Sequence, residues 1–337
     1  MSTAGPNSAA PFGGAAGCVL VTGASGFVGL HLVNHLLAAG DRPVAGAIRP
    51  GTGRPELSAK IPTVELDLTG AEATRRVIEQ FQPAAVYHLA AQASVGESHA
   101  DPLGTFFNNV GSQLNLFEAL LACGLRPRML VVGSNEEYGL VNADELPVCE
   151  TNELRPLSPY AVSKVAQDLL GYQYYVAHDL PIVRVRPFTH TGPGQEARFV
   201  TADFARQIAR IEAGLQPAVI RVGNLDARRD LTDVRDVVRA YRLLLLHGEA
   251  GAVYNVGSGQ AVSIQALLDG LLALSRVPVR VELDPDKLRP SEAPPQFADC
   301  QKLHDRTGWR PEIPLQQTLA DVLDDWRDRV ARYGRDC

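Results

Sequence analysis

The sequence predicts an α/β protein with a doubly wound parallel sheet and a smaller lobe toward the C-terminus. Three features carry that expectation. Short apolar runs alternate with segments of helical periodicity through the first half of the chain. Gly23, Gly26 and Gly29 stand between the first run and the first helix. Ser134 closes a later run, and Tyr160 and Lys164 follow it one helical turn apart.

Residues 18–22 read as a buried strand. The next helix carries Phe27, Val28, Leu30, Leu32, Val33, Leu36 and Leu37 and stops at Gly40. A strand, a glycine turn and a helix N-terminus make a pyrophosphate site. Glycines admit the backbone of a ligand, and free helix N–H groups bind anionic oxygens. Gly23, Ser25, Gly26, Phe27, Val28 and Gly29 are therefore the expected dinucleotide contacts of a Rossmann-type fold.

A second strand, 43–48, ends at Arg49, where the NAD fingerprint has an acidic residue for the ribose hydroxyl. A guanidinium suits a 2′-phosphate, so NADP(H) is the preferred cofactor and NAD(H) the alternative. A third strand at 64–66 leads to Asp67 and Leu68, beside which adenine would lie. A helix at 71–81 precedes a fourth strand at 84–89. His88, inside that apolar strand, reads as a hydrogen-bonded core histidine rather than a base. Leu89, Ala90 and Ala91 follow, leaving room for a flat cofactor on the carboxyl edge of the sheet.

A long helix is expected over 103–123 and a fifth strand over 129–132, with Ser134 just beyond it. Tyr160 and Lys164 head the next helix. An ammonium beside a phenol favours the phenolate, so the Tyr160 pKa is expected to fall toward working pH. Tyr160 then suits general-acid work in a carbonyl reduction or general-base work in an alcohol oxidation. Ser134 can hydrogen-bond the substrate oxygen that Tyr160 protonates. A sixth strand spans 180–185, and the turn formers of 187–194 mark the passage to the smaller lobe. Helices follow at 201–213, 233–246 and 314–330, with strands at 219–222 and 253–256.

Composition narrows the function classes. With 337 residues the chain can bury a full core, and its net charge of −6 gives no footprint for nucleic acid or anionic membrane. Cys18, Cys123, Cys149, Cys300 and Cys337 lack metal or disulfide spacing and read as small buried hydrophobes in a reducing cytoplasm. No metal site is expected. Residues 1–17 contain no basic side chain and read as a disordered tail rather than a targeting signal.

Five stretches together resemble the extended short-chain dehydrogenase/reductase family. They are the glycine segment Gly23 to Gly29, His88-Leu89-Ala90-Ala91-Gln92, Ser134, Tyr160-Ala161-Val162-Ser163-Lys164, and the segment Arg186 to Gly194. Within it the chain is most similar to GDP-6-deoxy-4-keto-D-mannose reductases, which form GDP-D-rhamnose. The carrying stretches run from Val131 to Gly139 and from Val222 to Asp230. GDP-mannose 4,6-dehydratases are the sister family. The resemblance implies a nucleotide-sugar oxidoreductase whose substrate contacts include Gln92, Ser94, Asn135, Thr189, Arg198, Arg221, Arg229 and Arg289. It also implies interleaved lobes: 18–186 plus about 227–258 for the cofactor, and 187–226 plus about 259–332 for the nucleotide sugar. A homodimer through the helices at 103–123 and 158–177 is a further expectation.

Two departures bear on chemistry. A 4,6-dehydratase needs a base and a proton donor besides its tyrosine. Here Asn135 cannot act as an acid, whereas Glu136 retains a carboxylate at the base position. The asparagine favours the reductase. Glu136 keeps the dehydratase as the alternative, a related sugar epimerase being more distant, and would otherwise orient substrate or a backbone amide. Thr189 stands where the family usually has asparagine.

Overall fold

A computed structural model describes residues 17–41, 43–287 and 295–334. The expected tail, apart from Gly17, together with Arg289 and Cys337, lies outside the described residues.

In chain order the elements begin with β1 (Val19–Thr22), α1 (Phe27–Ala38), β2 (Val44–Ile48), α2 (Pro55–Ser58), β3 (Thr63–Glu65) and α3 (Ala71–Phe81). They continue with β4 (Ala85–His88), α4 (Val95–Ala100), α5 (Pro102–Phe106), α6 (Ser112–Ala122), β5 (Arg128–Val132), α7 (Pro159–His178) and β6 (Ile182–Pro187). Then come β7 (Thr189–Thr191), α8 (Val200–Glu212), β8 (Val219–Val222), β9 (Arg228–Asp233), α9 (Val234–His247) and β10 (Val253–Val256). The chain closes with β11 (Ala261–Ser263), α10 (Ile264–Ala273), β12 (Arg280–Leu283), α11 (Gln301–Thr307) and α12 (Leu315–Tyr333).

Seven strands form a parallel sheet in the order β10-β6-β5-β4-β1-β2-β3. The order reverses between β1 and β4, and in such sheets a ligand lies outside the carboxyl ends at that reversal. Strand β1 is buried at every position because both faces are covered. Val19 and Val21 face one core with Leu32, Val33 and Leu36 of α1 and Val237, Tyr241 and Leu244 of α9. Leu20 faces the other core, with Val77 and Ile78 of α3, Leu116 and Leu120 of α6, and Tyr174 of α7. Each fully buried aliphatic side chain of this kind contributes about 1.5–3 kcal/mol. A separate core joins α8, α10 and α12.

Three features depart from expectation. The helix expected over 103–123 is broken by a π turn at Phe107–Gly111. Its cause lies at fully buried Asn109, whose side chain accepts from the Gln92 N–H at 2.7 Å and donates to Ser163 Oγ at 2.9 Å. The three-stranded sheet β11-β9-β7, and β12, which pairs with the expected strand β8, add strands that the apolar pattern did not mark. Of the described cysteines only Cys18 is buried; Cys123, Cys149 and Cys300 are partly exposed. Among the described residues no cluster of His, Cys, Asp or Glu is arranged to hold a metal, and no helix is long and apolar enough to cross a membrane.

Candidate active site

The glycine turn follows β1 at the sheet reversal. Gly23 adopts φ +70°, and a Cβ on Gly29 would lie 2.3 Å from the Gly23 carbonyl oxygen. Close packing of α1 on the turn therefore requires glycine at both positions. Gly26 caps α1 without a side-chain hydrogen bond, so the first N–H groups of this twelve-residue helix point free toward the site. That arrangement suits an anionic pyrophosphate. Ser25 Oγ bonds Thr52 Oγ1 at 2.9 Å, and the Ser25 carbonyl accepts from Arg54 Nε at 2.9 Å. Phe27 stacks on His190 with ring centroids 6.3 Å apart, and Val28 packs on the core.

Arg49 is exposed at the end of β2, where its carbonyl accepts from the Thr52 N–H at 3.0 Å. Arg54 is a second guanidinium on this rim, and it escaped the sequence analysis because it lies beyond the loop glycines. Asp67 is exposed, and two hydrogen bonds from Thr69 hold its carboxyl below the usual range. The Leu68 carbonyl accepts from Asn115 at 2.9 Å. Beyond β4, Leu89, Ala90 and Ala91 are half-buried, with the Ala90 N–H donating to Thr22 Oγ1. His88 Nδ1 is 2.9 Å from Thr22 Oγ1. Burial first, and Lys164 second, push the His88 pKa down to about 3, so this ring is neutral.

Ser134, Glu136, Tyr160 and Lys164 come together beyond the carboxyl end of β5. Ser158 starts α7 by accepting from the Ala161 N–H at 3.1 Å, with Pro159 in the first turn. This fixes Tyr160 and Lys164 on the face against β5. The two are 8% and 4% exposed, so neither titrates as a surface group. Ser134 hydrogen-bonds the Tyr160 side chain, and half-buried Glu136 acts on it electrostatically. Lys164 Nζ donates to the Val132 carbonyl at 2.9 Å and lies 5.9 Å from the Tyr160 ring centroid.

The expected fall in the Tyr160 pKa is reversed in the protein alone. Burial raises it most; the Ser134 hydrogen bond opposes this, and the Glu136 and Glu137 carboxylates add to the rise. The ammonium is itself weakened, since burial pushes the Lys164 pKa down to about 8. Tyr160 is thus a neutral phenol, which can give a proton to an alkoxide.

The GDP-mannose 4,6-dehydratase family model matches residues 20–322. The chain belongs to that family. GDP-6-deoxy-D-mannose reductase of Pseudomonas aeruginosa is 41% identical over 93% of this chain and 98% of its own length. The solved structure of RMD from Pseudomonas aeruginosa complexed with NADPH superposes with a TM-score of 0.83 at 40% identity, covering 93% of this chain and all of that one. A UDP-glucose 4-epimerase of Thermus thermophilus complexed with NAD gives 0.82 at 32% identity, covering 92% and 98%. These proteins are reductases, dehydratases and epimerases of nucleotide sugars on the extended short-chain dehydrogenase/reductase fold.

In this family member the residues expected on the substrate side spread over several elements. Gln92 accepts from Thr105 at 3.2 Å through its side chain, and Ser94 caps α4. Asn135 donates to Gln296 at 3.3 Å, and Thr189 is exposed on β7. Arg198 pairs with Glu97 of α4 and with Glu196, both at 2.9 Å, on the same side as Gln92 and Ser94. Arg221 lines a cavity of about 350 Å³ with Asp203, Arg206, Gln207, Glu282 and Lys287. Arg229 donates to the Arg228 carbonyl at 2.8 Å. Sequence reasoning missed Glu137 within the turn after Ser134, Asp168, which pairs with Arg184 and Arg186, and Asn109, which bonds Gln92 and Ser163. Of these only Glu137 lies in a stretch that carries the resemblance, Val131 to Gly139.

Proposed function

We propose that this protein is an NADPH-dependent reductase that converts the 4-keto group of GDP-4-keto-6-deoxy-D-mannose to the hydroxyl of GDP-D-rhamnose. The observation that carries the reading is the identity of 41% with a GDP-6-deoxy-D-mannose reductase across nearly the whole of both chains. Asn135 in place of an acid, and a Tyr160 phenol that keeps its proton, support it.

The residues divide the work. Gly23, Ser25, Gly26, Phe27, Val28 and Gly29 receive the pyrophosphate, Arg49 the 2′-phosphate, and Asp67, Leu68, Leu89, Ala90 and Ala91 border the adenosine and nicotinamide. NADPH supplies the hydride when bound. Ser134 holds the sugar C4 oxygen, Tyr160 delivers the proton to it, and the Lys164 ammonium favours the phenolate left behind. Glu136 orients the sugar; Gln92, Ser94, Asn135 and Thr189 flank it, and Arg198, Arg221, Arg229 and Arg289 serve the diphosphate and nucleoside.

The substrate lobe comprises 187–226 and about 259–332, supported by the separate core of α8, α10 and α12. The protein works in the cytoplasm as a homodimer. Val162, Leu169, Tyr172 and Val176 on α7, with Leu103 and Phe107 beside them, support that assembly as exposed apolar side chains.

Purified protein should oxidise NADPH in stoichiometric amount with the keto sugar, yield GDP-rhamnose, and leave GDP-mannose untouched. Conversion of GDP-mannose to the keto sugar without net cofactor use would instead assign dehydratase chemistry to Glu136.

A further inference from the structure

Directly beneath the catalytic loop lies a fully buried carboxyl that the proton transfer does not use. Glu137 is 0% exposed. Its Oε1 accepts from the Ser134 main-chain N–H at 2.8 Å. Its Oε2 lies 3.0 Å from Arg186 Nε, whose N–H is directed at Asp168, so this oxygen has an ionic contact but no donor. A Cβ on Gly133 would lie 2.2 Å from Glu137 Oε1. The carboxyl therefore fills the space that a side chain at position 133 would occupy.

The anchor beyond it is rigid. Arg186 of β6 donates to Asp168, to the Tyr138 hydroxyl at 3.1 Å and to the Glu150 carbonyl at 3.3 Å. Asp168 also takes Arg184 at 2.9 Å. On α7, Tyr160, Lys164 and Asp168 recur every four residues and so share one face. Glu137 thus joins the main chain of Ser134 to the guanidinium that is locked to that same helix.

We propose that Glu137 is a positioning residue: its carboxyl is the strut that sets Ser134 against Tyr160 by tying the Ser134 backbone to the Arg186–Asp168 pair. Isolated buried carboxyls are costly, and this one is held by the Ser134 N–H and the Arg186 guanidinium. The groups facing it are Asp168, Lys164 and Tyr160 from α7, Arg186 from β6, and Tyr138 from its own turn. Burial first, and Asp168 second, raise its pKa well above the carboxylate range. Once ionised it supports the Lys164 ammonium.

The inference rests on the catalytic reading of Ser134 and Tyr160, and the test separates the two. Kinetics with NADPH and the keto sugar are measured for the parent, Ser134→Ala, Glu137→Leu, Glu137→Gln and the double variant Ser134→Ala/Glu137→Leu. Ser134→Ala as active as the parent would remove the catalytic reading whatever Glu137 does. With that reading intact, Glu137→Leu should lower kcat by about 10- to 100-fold, with both KM values within about twofold. Glu137→Gln, which keeps an acceptor for the Ser134 N–H, should restore kcat to within about fivefold of the parent. The double variant should be no slower than Ser134→Ala, because the strut then has nothing to place. The alkaline limb of kcat should move to lower pH in Glu137→Gln, since losing the carboxylate weakens the ammonium. Glu137→Leu at parental kcat, or effects of the two sites that multiply, would overturn the assignment. Should Glu137→Leu fail to fold, a Glu137→Gln variant as slow as Ser134→Ala would overturn the assignment, because it keeps the acceptor for the Ser134 N–H.

Discussion

At Tyr160, burial first and the nearby Glu136 carboxylate hold the proton on the hydroxyl before substrate arrives. A reductase needs that state, because its acid must begin the cycle protonated. As the proposed proton donor, Tyr160 replaced by Phe should lose about 10²- to 10⁴-fold in kcat. KM for both substrates should stay close to the parent's, since the ring still fills its place; steady-state kinetics would check this. The Ser134, Tyr160 and Lys164 set was legible because helix spacing and strand ends fix where such side chains meet. Glu137 was not. A carboxylate beside Glu136 in a polar run reads as solvated, and only three-dimensional contact with Arg186 and Asp168 shows it buried. The direction of the Tyr160 shift was misread for a related reason: sequence shows the lysine neighbour but not the burial that outweighs it.

Helix α7 carries the site on one face and an apolar surface on another. Its start near residue 158 was expected, and Ser158 and Pro159 cap and open it. Its anchoring was not, because Arg184 and Arg186 come from a strand that reads as an ordinary buried run with two charges. Asp168 pairs with both arginines, which are 8% and 4% exposed. Asp168→Ala leaves two buried guanidinium groups short of a partner and should cost about 3–5 kcal/mol of stability. A drop in the urea midpoint at unchanged slope would register it. The π turn at Phe107–Gly111 escaped for a different reason: apolar periodicity resumes on both sides, while the cause is one asparagine amide bonded across to Gln92 and Ser163.

For the molecule as a whole, alternating apolar runs located every strand of the seven-stranded sheet, and the glycine turn marked its reversal. The small sheet of β7, β9 and β11 stayed hidden because β7 and β11 are short and β9 begins with Arg228, Arg229 and Asp230. Such strands pair through tertiary placement rather than through their own hydrophobic pattern. The exposed residues Val162, Leu169, Tyr172 and Val176 form a stripe that a second copy would cover. Sedimentation should show a dimer for the parent and a monomer for the double variant Leu169→Glu/Val176→Glu, whereas a monomeric parent would contradict that assembly. The central claim is hydride delivery to sugar C4, and tracing a deuterium from the transferable C4 position of NADPH tests it most directly. The expected product is GDP-rhamnose with one deuterium at C4 for each NADPH consumed; a product carrying no deuterium at C4 would contradict reduction at that carbon.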